Sequence, residues 1–83
     1  MAETAAGQVV YCLSGREKGH FMVVLSINNG YAMLSDGRER PIERPKLKNP
    51  KHFTLTNAVL SEEEISTNRR IKQQLKRFNK EVF

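Results

Sequence analysis

The basic residues of this sequence fall into two groups whose spacing suits a polyanion. Arg16 and Lys18 lie between two glycines, Gly15 and Gly19, while Arg38, Arg40, Arg44, Lys46, Lys48 and Lys51 load a later segment punctuated by Pro41, Pro45 and Pro50. Ammonium and guanidinium groups arrayed this way neutralise phosphates and release the counterions condensed on a nucleic acid. Glu39 and Glu43 offset the second group only in part. Any single lysine read alone is equally well a solvated surface charge, so the information is in the clustering. His20, beside the first group, can contact a phosphate or a base, or be an ordinary, partly exposed strand residue.

Enzyme chemistry has little to build on. The two histidines, His20 and His52, lie far apart, and no CxxC, HxxxH or paired carboxylate accompanies them, so neither a metal site nor an acid-base pair is expected. Gly15-Arg16-Glu17-Lys18-Gly19 lacks the spacing of a nucleotide-cradling glycine loop and leads into a strand where such a loop opens a helix. No cofactor, no metal and no enzymatic activity are expected. Cys12 has no second cysteine to pair with and sits mid-strand, as a small buried hydrophobe.

The elements that must hold the basic groups are readable from periodicity. Gln8 to Leu13 and His20 to Ile27 are rich in β-branched and aromatic residues, the composition of strands. Gly15 and Gly19 can adopt positive φ without Cβ strain, so the chain reverses between the two runs and holds Arg16 and Lys18 at the tip. In the second run Phe21, Val23, Leu25 and Ile27 alternate onto one face, which pins the register. Asn28-Asn29-Gly30 supplies a hairpin turn, Tyr31 to Leu34 a third strand, and Ser35-Asp36-Gly37 another turn. Arg38 to Ile42 is expected to pair back as a fourth strand, with Pro41 marking an edge or the end of pairing. Glu43 to Lys51 reads as an extended loop, and Phe53 to Thr56 as a closing strand. Five short strands with tight turns predict a mainly β fold, an SH3-like barrel over residues 7–57, after a frayed tail over residues 1–6.

Residues 58–83 change period. Ser61 with Glu64 forms a capping box and Leu60 with Ile65 a hydrophobic staple, so an amphipathic helix is expected from about Glu62. Its apolar stripe is Ile71, Leu75, Phe78 and Val82, with Ile65 slightly off it, and its cations follow an acidic first turn. An isolated helix of this length is marginal in water, so the stripe needs cover, preferably the barrel and otherwise a second chain or a partner protein.

Gly7 to Leu34, about a third of the chain, resembles the KOW motif, the β-loop-β signature of several ribosomal proteins and of NusG-type transcription factors. The residues that carry the likeness are Gly7, Val9, Gly15, Lys18, Gly19, Val23 and the Leu25/Ile27 pair. Asp36-Gly37-Arg38 and Arg44 to Phe53 are similar to the continuation in archaeal and eukaryotic large-subunit ribosomal proteins and in small stand-alone bacterial relatives. Where many members of the family have a further glycine, three residues after Gly19, this chain has Met22. The resemblance implies RNA contact through Ser14, Gly15, Arg16, Lys18, Gly19 and His20. The glycines would admit the backbone close to phosphates, and the partner would be RNA, foremost ribosomal RNA, with the ribosome or a ribosomal protein beside it, the latter also a candidate cover for the helix stripe. Tyr31 and Phe53 are candidates for stacking on an unpaired base, or else core residues.

The 83 residues suit one domain, and the net charge of +5 with pI near 9.7 favours an anionic partner. No apolar run reaches membrane-spanning length, and the N-terminus lacks a signal-peptide pattern, so a soluble, cytoplasmic protein, monomeric when free, is expected. Two functions from other classes compete with RNA binding. One is a NusG-type adaptor docking a protein through the barrel or helix, and the other is DNA binding through the basic helix, which its acidic first turn disfavours.

Overall fold

A computed structural model describes residues 4–79. Five antiparallel strands, β1 (Gln8–Cys12), β2 (Phe21–Asn28), β3 (Tyr31–Ser35), β4 (Lys46–Lys48) and β5 (Phe53–Val59), form one sheet in the order β4-β3-β2-β1-β5, and one helix, α1 (Asn68–Asn79), follows. The register of β1 on β2 pairs Val9 with Val23, Val10 with Met22 and Tyr11 with Phe21. The β2–β3 connection is the expected tight turn, with positive φ at both Asn29 (50°) and Gly30 (82°), the backbone that matches the twist of the strands it joins.

The first two strands are apolar on both faces because each face has its own cover. Val10, Cys12, Met22, Val24, Ala32, Leu34 and Phe53 form one buried cluster. Val9 and Val23, on the opposite face, join Leu60, Ile71 and Leu75, with Phe21, Leu25, Ile42, Ile65 and Phe78 packed around them. The helix covers only this second face, so the sheet must curl on itself to bury the first. Register shifts between Gln8 and Val10 and between Val24 and Ser26 supply local bends for that curl. Ile27, expected on the core face, lies past the second shift and is exposed.

The structure corrects several expectations. The fold is mainly β with five strands and a C-terminal helix, but the sheet is open, with β4 and β5 at its edges. β4 has only three residues, bracketed by Pro45 and Pro50, and proline cannot donate to a ladder, which limits pairing at that edge.

The fourth strand is not Arg38 to Ile42. There the Asp36 carboxylate accepts from the Arg38 and Arg40 amides at 2.8 and 2.9 Å, the Ser35 hydroxyl donates to the Arg40 carbonyl at 2.7 Å, and the Ile42 amide donates to Asn68 at 2.7 Å. Side chains thus take the backbone groups that a ladder would need. Pairing falls instead to Lys46–Lys48, within the stretch read as loop, with Leu47 opposite Met33.

The helix begins at Asn68, later than Glu62. The Ser61/Glu64 box does form, with reciprocal bonds of 2.8 and 3.2 Å, but it caps a short 3-10 turn, Glu63–Ile65. Ser66 closes that turn by donating from its hydroxyl to the Glu63 carbonyl at 2.7 Å, and Thr67 then caps α1 by accepting from the Arg70 amide at 3.1 Å.

The closing strand, expected over Phe53 to Thr56, runs on to Val59. Of the expected tail, Ala5 and Ala6 are exposed, but the Gly7 amide already bonds the Val24 carbonyl at 2.8 Å. Residues 1–3, Lys80 and Val82 lie outside the described residues.

The apolar stripe of α1 is covered by the chain's own sheet. Ile71 and Leu75 are buried, and Phe78 lies 5.4 Å, centroid to centroid, from Phe21, which in turn lies 4.9 Å from Tyr11. Asparagines tie both ends of the helix down. Asn79, itself buried, accepts from the Phe21 amide at 2.8 Å and donates to the Phe21 carbonyl at 3.1 Å, while Asn68 also donates to the Glu43 carboxylate at 2.9 Å. Gly37 (φ 76°) presses on the first turn of α1, where a Cβ would collide with the Asn68 carbonyl and meet the Lys72 amide at 3.1 Å.

Candidate nucleic-acid interface

The loop between β1 and β2 is organised by an acid. Glu17 stands between the two tip cations in sequence, but its side chain turns inward and the residue is 8% exposed. Its Oε2 accepts from Arg40 Nε at 3.1 Å, and Lys48 Nζ lies 3.6 Å from Oε1. Lys48, also buried, donates to the Ser14 carbonyl at 2.8 Å. The loop backbone is closed by bonds from the Lys18 amide to the Gly15 carbonyl and from the His20 amide to the Glu17 carbonyl, at 3.2 and 2.9 Å. With Glu17 directed inward, Arg16 and Lys18 are left exposed on either side of it. Gly15 (φ 80°) sits over the Lys48 ammonium, which lies 3.2 Å from where a Cβ would stand. An alanine there would be strained in its backbone and crowded as well.

Burial by itself would raise the Glu17 pKa. The hydrogen bond and charge of Arg40, with the charges of Lys46 and Lys48, outweigh it and hold the carboxyl below its ordinary value. Oε1 accepts no hydrogen bond, so the Lys48 ammonium at 3.6 Å offsets its charge through space. Cys12 lies in the adjoining core, and burial pushes its thiol up to about 11, the environment of an inert structural cysteine.

Glu17 also joins the two basic groups of the sequence. Arg40 and Lys48 belong to the second group and close onto the first loop, and the Leu13 amide donates to the His52 carbonyl at 2.8 Å, which brings the Pro50–His52 turn alongside. Ser14, Gly15, Arg16, Lys18, Gly19, His20, Arg40 and Lys48 are therefore gathered in one region, with Lys51 next to it. Lys46 is half-buried within electrostatic reach of Glu17. Arg44 is exposed and follows Ile42 and Glu43, both tied to Asn68, so it belongs with the start of α1. Arg38 is exposed on the turn that Gly37 presses against the helix.

Arg40 and Lys48, read from the sequence as phosphate ligands, here neutralise an internal carboxylate. Lys48 is buried, so a phosphate could not reach it without rearrangement of the loop. Phe53 is in the core and unavailable for stacking, whereas Tyr31 is 41% exposed. A cleft of about 320 Å³ opens beside the loop, lined by Arg16, Glu17, His20, Asp36, Glu39 and Arg40, so its lining mixes both signs of charge. Among the described residues, no three or more His, Cys, Asp or Glu side chains gather as a metal site, and no helix is long and apolar enough to cross a membrane. Sequence reasoning missed Glu17, because a carboxylate flanked by two cations in a loop has the same local signature whether it faces water or the interior.

Compared with protein-family models and with curated proteins, the chain matches none.

Proposed function

We propose that this chain is a non-enzymatic RNA-binding module with an SH3-like sheet of the KOW class. In this reading it contacts the RNA backbone through the Ser14–His20 loop and the basic segment around β4, with ribosomal RNA as the foremost target. The observation that carries the reading is the Glu17 latch, which holds Arg40 and Lys48 of the second basic group against the first loop while leaving Arg16 and Lys18 exposed. Lys46 and Lys51 lie beside it. A-form RNA hides its major groove, so recognition is of shape and backbone, with limited base reading. The adaptor reading loses its readiest surface, since the apolar stripe of α1 is used within the chain.

Titration of the full chain with structured RNA, single-stranded RNA and duplex DNA at one fixed salt concentration, then across a salt series, tests the proposal. Structured RNA should bind tightest, and replacing Arg16, Lys18 and Lys46 by glutamine should flatten the plot of log K against log salt by about two units or more, at roughly 0.7 to 0.9 for each phosphate no longer neutralised. An RNA affinity that does not change with salt would defeat it.

A further inference from the structure

We infer that the RNA site, which rests on the function proposed above, does not end at the loops but continues across one flank of α1, with Lys72 and Lys76 as additional phosphate ligands. A second cleft, of about 420 Å³, is lined by Asp36, Arg38, Lys72, Leu75, Lys76 and Asn79. Its helical members are spaced i, i+3, i+4 and i+7 and so form one continuous strip of α1. Within the strip Leu75 and Asn79 are buried while Lys72 and Lys76 are exposed. The cleft thus has an apolar wall under a cationic rim, to which Arg38 adds from the opposite side. Lys72 and Lys76 are offset along the helix by about 6 Å, close to the repeat of phosphates along a strand.

Two features make this strip part of the first site. Asp36 lines both clefts, so the one rimmed by Lys72, Lys76 and Arg38 adjoins the one that Arg16 lines, with the Arg40–Glu17 pair and Glu39 in the latter. The join is also closely packed. Gly37 lets the Asp36–Arg38 turn lie directly on the first turn of the helix, and the Asp36 carboxylate is engaged by the Arg38 and Arg40 amides. That arrangement partly offsets the charge of Asp36, while Glu39 stands as a second acid on the loop side of the join. Arg70 and Arg77, on the opposite flank of α1, do not line this cleft: Arg70 is paired with Glu63 at 3.3 Å, and the Arg77 guanidinium lies 5.1 Å from the centre of the Phe78 ring.

The test compares charge-matched variants of the full chain on one RNA stem-loop across a salt series, with thermal unfolding to verify the fold of each. K72Q/K76Q should lower the salt slope by about 1.4 to 1.8 units, the yield of two phosphates left without a cation, while R70Q/R77Q leaves it nearly unchanged. Equal reductions in the two pairs would reduce the effect to net charge and overturn the inference. An unchanged slope in K72Q/K76Q with a reduced one in R16Q/K18Q would overturn it and leave the loop site standing. A wild-type chain whose RNA affinity ignores salt would remove both. Preference for duplex DNA, abolished in K72Q/K76Q, would overturn the RNA assignment of this flank.

Discussion

Glu17 shows how one residue can determine what its neighbours are free to do. As an isolated charge in a buried loop it would be costly; with Arg40 and Lys48 beside it, it fastens three separate stretches of chain. Glu17→Ala leaves Lys48 buried without its counter-charge and should cost about 3 kcal/mol of stability by denaturant unfolding, the scale of a broken buried pair. Lys48→Gln should likewise lower stability while leaving the RNA salt slope close to wild type. Such a result would separate a structural lysine from the exposed Arg16 and Lys18.

Acid gives a third measurement. The Glu17 carboxyl has a lower pKa folded than its ordinary value of 4.5, and so does Glu43, through its hydrogen bonds from Asn68 and the backbone. Unfolding in acid therefore takes up protons. The stabilisation is complete above pH 4.5 and is lost as pH falls through the depressed folded values. Equilibrium unfolding at a series of pH values should show stability declining below that point, with a shallower decline in Glu17→Gln.

At the scale of elements, the helix is held by its ends as much as by its stripe. Leu75→Ala should cost about 2 to 4 kcal/mol through the cavity it leaves against Val9 and Val23, and for so small a domain that is a large share of the whole. The two N-terminal caps should differ. Thr67→Ala, which uncaps α1, should cost about 1 kcal/mol, while Ser61→Ala should cost less, because the turn it serves is short and exposed. The helix onset illustrates a limit of local signals: Ser61 with Glu64 satisfies every rule for a helix start, and its hydrogen bonds form as expected, yet the chain makes a second start at Thr67. Tertiary geometry decides between them. From Thr67 the helix places Asn68 against Ile42 and Asn79 against Phe21, whereas the turn at Ser61 has only Ile65 to pack into the core.

For the molecule as a whole, the sheet buries one face by curling and the other under the helix, so stability is concentrated in β1 and β2, which belong to both clusters. Cys12 reports on this directly. It is fully buried, and its thiol is pushed up to about 11 by burial, so alkylation at neutral pH should proceed only through unfolding. The labelling rate should rise with the equilibrium constant for unfolding across the destabilised variants above. Rapid labelling of the folded chain would contradict a closed core around β1.

The enrichment of β-branched and aromatic residues in Gln8–Cys12 and Phe21–Asn28, the Asn29-Gly30 turn, the glycine-bounded loop and the amphipathic strip of α1 were legible in the residues themselves, because each depends on interactions between near neighbours in the chain. Three things were not: that Lys46–Lys48 pairs with β3 in place of Arg38 to Ile42, that the sheet stays open, and that Arg40 and Lys48 turn inward to a carboxylate more than twenty residues away. Each is a choice among partners distant in sequence. A backbone amide or an ammonium group accepts whichever partner the fold brings within reach, and only the assembled tertiary structure sets that distance.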